Sequence, residues 1–150
     1  MAQNAAILGI TIAQLCDDDA LSPFNRQGPH NLWETTPPGL QPTALQRAVH
    51  HHPWIDLFPV PQLRDSFIRL FDNSVDEDVL CVDLIRVEGG NGEKPNLIVW
   101  GDPSDPCAWE ASVPFLRKWG WVVRDCRELL DATNYWRAKR GERTLIFETT

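Results

Sequence analysis

His52 and Asp56 flank Pro53-Trp54-Ile55 at a spacing that suits a hydrogen-bonded imidazole–carboxylate pair. In such a pair the carboxylate fixes the tautomer that acid–base chemistry needs. The competing role for both side chains is to satisfy backbone groups in a proline-rich segment. The run His50-His51-His52 also invites a metal ion, but consecutive side chains diverge and one ion rarely takes more than one or two of them without carboxylates from elsewhere. No metal is expected. Arg64, next to Asp65, has a guanidinium suited either to a carboxylate or enolate of a ligand or to an internal ion pair with Asp56 or Asp65. Asp102, Asp105 and Glu110 surround Trp109 in the sequence, as a general-acid pair or cation site would require, or simply as caps of turns. Arg137, Lys139, Arg140 and Arg143 form a short basic run, fit for an anion but equally for the negative end of a helix dipole.

Other chemistries lack their signatures. The sequence has no Gly-rich phosphate loop, dinucleotide fingerprint, Gly-x-Ser-x-Gly elbow or His-Glu-x-x-His motif. No cofactor is expected. A formal net charge of −7 opposes binding to nucleic acid or an anionic membrane, which needs a basic field to displace counterions. The apolar stretch from Ala5 to Leu15 is too short to span a bilayer and has no basic residue before it, so an intracellular, cytoplasmic location is expected, or a nuclear one for a regulator. Cys16, Cys81, Cys107 and Cys126 are widely separated and read as free thiols. Seven Trp against one Tyr and one Met is the unusual feature. Such bulky, rigid, amphipathic side chains fill a core or line a pocket.

The elements that must position these residues follow from periodicity and punctuation. Residues 3–20 carry Ile7, Leu8, Ile12 and Leu15 at helical spacing, interrupted by Gly9. From Ser22 to Pro42, prolines and glycines exclude long regular structure. The strap His52 to Pro61 should be buried. A helix begins at Pro61 and runs to about Phe71, with Leu63, Phe67, Leu70 and Phe71 on one face. A second is capped near Asp76, carries Val79, Leu80, Leu84 and Ile85, and ends at Gly89-Gly90. Leu97 to Trp100 reads as a buried strand. Ser112 and Pro114 open a helix near 113–121, with Phe115, Leu116 and Trp119 inward, and another spans about Arg124 to Lys139, with Leu129, Leu130, Thr133 and Trp136 inward. Thr144 to Glu148 reads as a final strand. The expected fold is mainly helical α+β: about four helices, a small two- or three-stranded sheet and long Pro-rich loops.

Read in order, four stretches resemble one family. They are Pro42 to Gln46; His51-His52-Pro53-Trp54-Ile55-Asp56-Leu57-Phe58-Pro59 with Leu63-Arg64-Asp65; Ile98-Val99-Trp100-Gly101-Asp102-Pro103 to Trp109-Glu110; and Phe115 to Trp121 with Thr133 to Arg137 and Arg140 to Arg143. The chain is similar to the fungal DUF3425 domain, which usually follows the DNA-binding part of bZIP-type transcription factors. The resemblance covers roughly residues 40–148. It implies a domain over 42–150, with residues 1–41 as an N-terminal helix and Pro-rich loop of the same unit. The chain shows neither a Lys/Arg-rich helix nor a Leu heptad, so it reads as a stand-alone copy without DNA contacts. The resemblance also implies a Trp where Ser104 stands. Were that position to face inward, the smaller side chain would leave room beside Trp100 and Trp109.

Two functions are consistent with these residues. The first is a cofactor-free cyclase or isomerase of fungal secondary metabolism, for example of Diels–Alder type, holding an apolar substrate in a reactive conformer. Its catalytic candidates are His52, Arg64 and Asp102, and its substrate-binding candidates Trp54, Asp56, Trp100, Ser104, Trp109, Trp119 and Trp136. The second is a regulatory or ligand-sensing module that acts without touching DNA. The expected partner is an apolar small molecule, with homodimerisation left open.

Overall fold

Gly9 breaks the first helical stretch in two. In the computed structural model, which describes residues 1–25, 33, 35–72, 75–85 and 95–147, α1 spans Ala2–Leu8 and α2 Ile12–Leu15. Gly9 has φ 67°, and its N–H and that of Ile10 turn back onto the carbonyls of Ala6 and Ala5, the left-handed stop that glycine adopts without steric cost. Thr11 and Gln14 then cap α2 reciprocally. The single helix expected over 3–20 is therefore two short ones.

Prolines punctuate the middle of the chain. Short 3-10 turns start at Pro23, Pro38, Pro53 and Pro106, each using a ring whose φ suits a first helical position. Residues 26–32 and 34 of the expected long loop lie outside the described set. Helix α3, Ala44–Ala48, opens with a Thr43–Gln46 capping box. The strap is buried as expected: Pro53, Trp54, Ile55, Asp56 and Leu57 all lie inside.

Helix α4 spans Pro61–Asp72 and buries Leu63, Phe67 and Leu70, with Phe71 half-buried. Helix α5 spans Glu77–Ile85. Leu80 and Leu84 point inward, but Val79 is exposed, contrary to expectation. The side chain of Ile85 and the expected stop at Gly89-Gly90 lie outside the described residues. Strand β1, Leu97–Val99, pairs antiparallel with β2, Trp109–Ala111, in the register Leu97–Ala111, Ile98–Glu110 and Val99–Trp109. The buried strand is β2. The expected buried strand, β1, is half-exposed.

Ser112 caps α6, Val113–Val123, by accepting the N–H of Phe115. Phe115 and Trp119 face inward and Arg117 and Lys118 outward, as the sequence predicts. Helix α7 spans Arg127–Lys139 and packs on β2. There Thr133 donates to the carbonyl of Leu129 at 2.7 Å and accepts the N–H of Ala111 at 3.0 Å. Residues 144–147 are not a strand: Asn134 accepts the N–H of Leu145 and donates to its carbonyl, occupying the groups a strand partner would need. Glu148 lies outside the described residues. Mainly helical α+β is the architecture, with seven α-helices and one two-stranded sheet among the described residues.

The main core runs from the strap across α4 to β2, α6 and α7. Phe58 lies at its centre, edge-on to Trp54, Phe67 and Trp109 at centroid distances of 5.9, 5.5 and 5.7 Å, the geometry that aromatic quadrupoles favour. A smaller cluster joins Ala5, Leu8, Ile10, Phe24, Leu40 and Leu57. Among the described residues no helix is long and apolar enough to cross a membrane.

Candidate functional site

The strap delivers a buried polar network rather than an open acid–base pair. Asp56 is fully buried and accepts Ser22 Oγ at 2.6 Å, Gln46 Nε2 at 2.6 Å and His51 Nε2 at 2.8 Å. His51, not His52, is thus the partner of Asp56, and His51 Nδ1 meets the carbonyl of Val49 at 2.8 Å. His52 instead caps the 3-10 turn, accepting the N–H of Trp54, and its Nε2 contacts the carbonyl of Asp17. Burial pulls the His51 imidazole toward neutrality, but the hydrogen bond and charge of Asp56 outweigh it and raise its pKa above the ordinary 6.5.

Arg64 extends the same network. Its Nε donates to Gln46 Oε1, and its terminal nitrogens donate to the carbonyls of Gly39, Phe58 and Gln41. Burial lowers its pKa to about 10 against the opposing charges of Asp56 and Asp65, a value that keeps it charged at neutral pH. With each of its three nitrogens bonded within the protein and its side chain fully buried, Arg64 holds chain segments together instead of facing a ligand.

The solvent-facing candidate lies between α7 and the turn after β1. It is a groove of about 600 Å³ with Trp100, Tyr135 and Trp136 as its aromatic wall. Trp100 and Trp136 stack at 5.6 Å with planes 22° apart, and Tyr135 meets Trp136 edge-on at 5.2 Å. Hydrogen bonds hold the indoles in place: Trp100 Nε1 donates to Glu110 at 2.7 Å, and Trp136 Nε1 to the carbonyl of Cys107 at 2.8 Å. Glu110 is buried on β2 and takes both terminal nitrogens of Arg140, at 2.7 and 2.6 Å. The Arg140 guanidinium lies 5.1 Å above the Trp100 ring, and its pKa is raised by the hydrogen bonds to Glu110 and Glu142. The clasp Glu110–Arg140–Trp100 therefore ties the end of α7 to the sheet and sets one wall of the groove.

Of the residues singled out in the sequence, Trp100, Asp102, Asp105 and Trp136 line this groove. Trp136, expected to face inward, stands here half-exposed. Asp102 accepts the N–H and Oγ–H of Ser104 at 2.9 and 2.8 Å, which lowers its pKa below the ordinary carboxylate value. Asp105 caps the turn at Pro106 by accepting the N–H of Cys107. Ser104 is folded onto Asp102, and its carbonyl is covered by Gly39, where an added Cβ would come within 2.6 Å of it. Ser104 and Trp109 are not among the residues that line the groove. Trp54 and Trp109 belong to the core, Trp109 donating to the carbonyl of Pro103 at 3.0 Å, and Trp119 donates to Asp83 at 2.7 Å. His52, Arg64 and Asp56 do not line the groove.

Sequence reasoning missed Cys107, Glu128, Asp131 and Tyr135, which also line it. A signal for three of them exists. Glu128, Asp131 and Tyr135 recur at three- and four-residue steps, on the face of α7 opposite the buried Leu129, Leu130 and Thr133. Among the described residues, no group of three or more His, Cys, Asp or Glu is placed to hold a metal.

No curated protein and no solved structure matches the chain. A family model does, described as a domain of unknown function, and its match covers residues 19–130, beginning before the residues that first carried the resemblance and stopping within α7. The strap, the buried Asp56–Arg64 network, both strands and Trp100 of the groove fall inside that span, so the chain belongs to the DUF3425 family.

Proposed function

We propose that this protein is a binding module, a regulatory or ligand-sensing domain that receives its ligand in the aromatic groove beside α7 and releases it unchanged. The observation that carries the reading is the pre-built wall of Trp100, Tyr135 and Trp136. Trp100 and Tyr135 are 44% and 52% exposed, yet the two indoles are fixed by hydrogen bonds to Glu110 and Cys107. Exposed, pre-oriented aromatic side chains are what recognition surfaces use. The resemblance to domains of fungal bZIP-type regulators favours the same role, and the net charge of −7 directs the module away from DNA.

The volume of the groove also suits a small organic substrate, which keeps a cofactor-free cyclase or isomerase as the second reading. There the Asp102 carboxylate would be the polarising group at hand. His52 and Arg64 would contribute nothing to that chemistry from their present positions.

Tryptophan emission measured against a panel of fungal polyketide and terpenoid intermediates, with the products of each mixture analysed, separates the two. Saturable quenching with the ligand recovered intact is expected, weakened about tenfold or more by Trp136→Ala. Recovery of a cyclised or isomerised product would replace the binding reading by the catalytic one. Quenching indifferent to Trp136→Ala would place the ligand outside the groove and end the proposal.

A further inference from the structure

The charged residues that line the groove are acidic, while Lys139 and Arg140 lie over the rings at its aromatic end. Asp102, Asp105, Glu128 and Asp131 line it, and no Lys or Arg is among its described lining residues. Beside them, the exposed Cys107 thiol is raised in pKa by desolvation and then by the charge of Asp105. The aromatic end shows what such faces attract. Lys139 Nζ lies 5.2 Å over the Tyr135 ring and Arg140 5.1 Å over Trp100, both within cation–π range.

The groove's lining residues run along α7 from Glu128 to Trp136. From Glu128 to Tyr135 the helix advances about 10 Å, which three or four residues of extended chain would span. A small amine would answer one carboxylate and leave the others facing each other across the groove. A segment with cationic side chains spaced along it answers several at once.

Resting on the reading of the groove as a binding site, we infer that its occupant is a short extended basic segment of a protein partner. Its Arg or Lys side chains pair with Glu128 and Asp131, and an apolar side chain packs on Trp136. A nucleic acid is repelled by the same carboxylates.

The test is fluorescence anisotropy of a labelled alternating Arg/Leu hexapeptide and its Gln/Leu counterpart with the full chain, at low and physiological salt. Binding of the Arg peptide is expected to be at least about tenfold tighter, and to fall about tenfold in the Glu128→Gln/Asp131→Asn double variant. Asp18→Asn/Asp19→Asn removes as much charge away from the groove and should change it little. Equal affinity for the two peptides, or an equal loss in the remote variant, overturns the basic-segment inference. If the neutral dye Nile red still binds in a Trp136-dependent way in that case, the groove reading survives alone. If neither peptide nor dye responds to Trp136→Ala, both fall.

Discussion

Three donors, Ser22, Gln46 and His51, close on the Asp56 carboxylate without solvent, and His51 makes this cluster sensitive to pH. Around the imidazole stand Asp56, the Val49 carbonyl and, at longer range, Arg64. The folded state raises the His51 pKa above its ordinary 6.5, so the native state binds the proton more tightly than the unfolded chain does. The resulting stabilisation is complete below the unfolded value and is lost as pH rises through the folded one. Urea midpoints are therefore expected to fall as pH is raised from about 6.5, and His51→Gln should flatten that dependence. A slope unchanged by the substitution would show that another group titrates. The pairing itself was half-legible. His and Asp spacing pointed to a His52–Asp56 pair for acid–base work, but the 3-10 turn starting at Pro53 makes His52 its cap. That geometry turns His52 toward Trp54 and gives His51 the inward position.

Among elements, Arg64 is the joint. From α4 it gathers the carbonyls of Gly39, Gln41 and Phe58 and the side chain of Gln46, so one side chain fixes the turn at Pro38, the strap and α3 on one helix. Arg64→Ala would leave those acceptors buried and Asp56 without its neighbouring cation, at an expected cost of about 3–5 kcal/mol. Arg64→Lys should recover only part of it, since an ammonium lacks the planar fork. Chemical denaturation measures both, and a loss near that of an ordinary surface substitution would refute the joint. Two helix starts were legible because capping is local: Ser112 before Pro114 and the ring of Pro61 suffice, whereas α7, without a side-chain cap, starts at Arg127 instead of near Arg124, and α3 was not expected. Strands were less so. Thr144 to Phe147 has strand-forming residues, but pairing is a non-local event, and Asn134 reached Leu145 first. The groove was hidden for a related reason: Trp100, Cys107 and Tyr135 come together only once β2 packs on α7.

At the scale of the whole molecule, the two apolar clusters are bridged by the partly buried Met1 and Leu15, which pack against both. Helix α1 covers Leu40 and Leu57 through Ala5 and Leu8. Deleting residues 1–10 is expected to uncover that surface and lower stability by about 2–4 kcal/mol, net of the ordering entropy saved. Unfolding should remain a single transition if the clusters form one cooperative unit. A second transition on urea titration of the intact chain would show that they do not. The α1 attachment also has a temporal side. Asn4 Nδ2 donates to the carbonyl of Leu57, 53 residues on, and to that of Pro103, 99 residues on. A helix of seven residues does not persist by itself in water. During synthesis, Asn4 cannot complete both bonds until Pro103 has been made, and until then Leu8 and Ile10 stay open to chaperones.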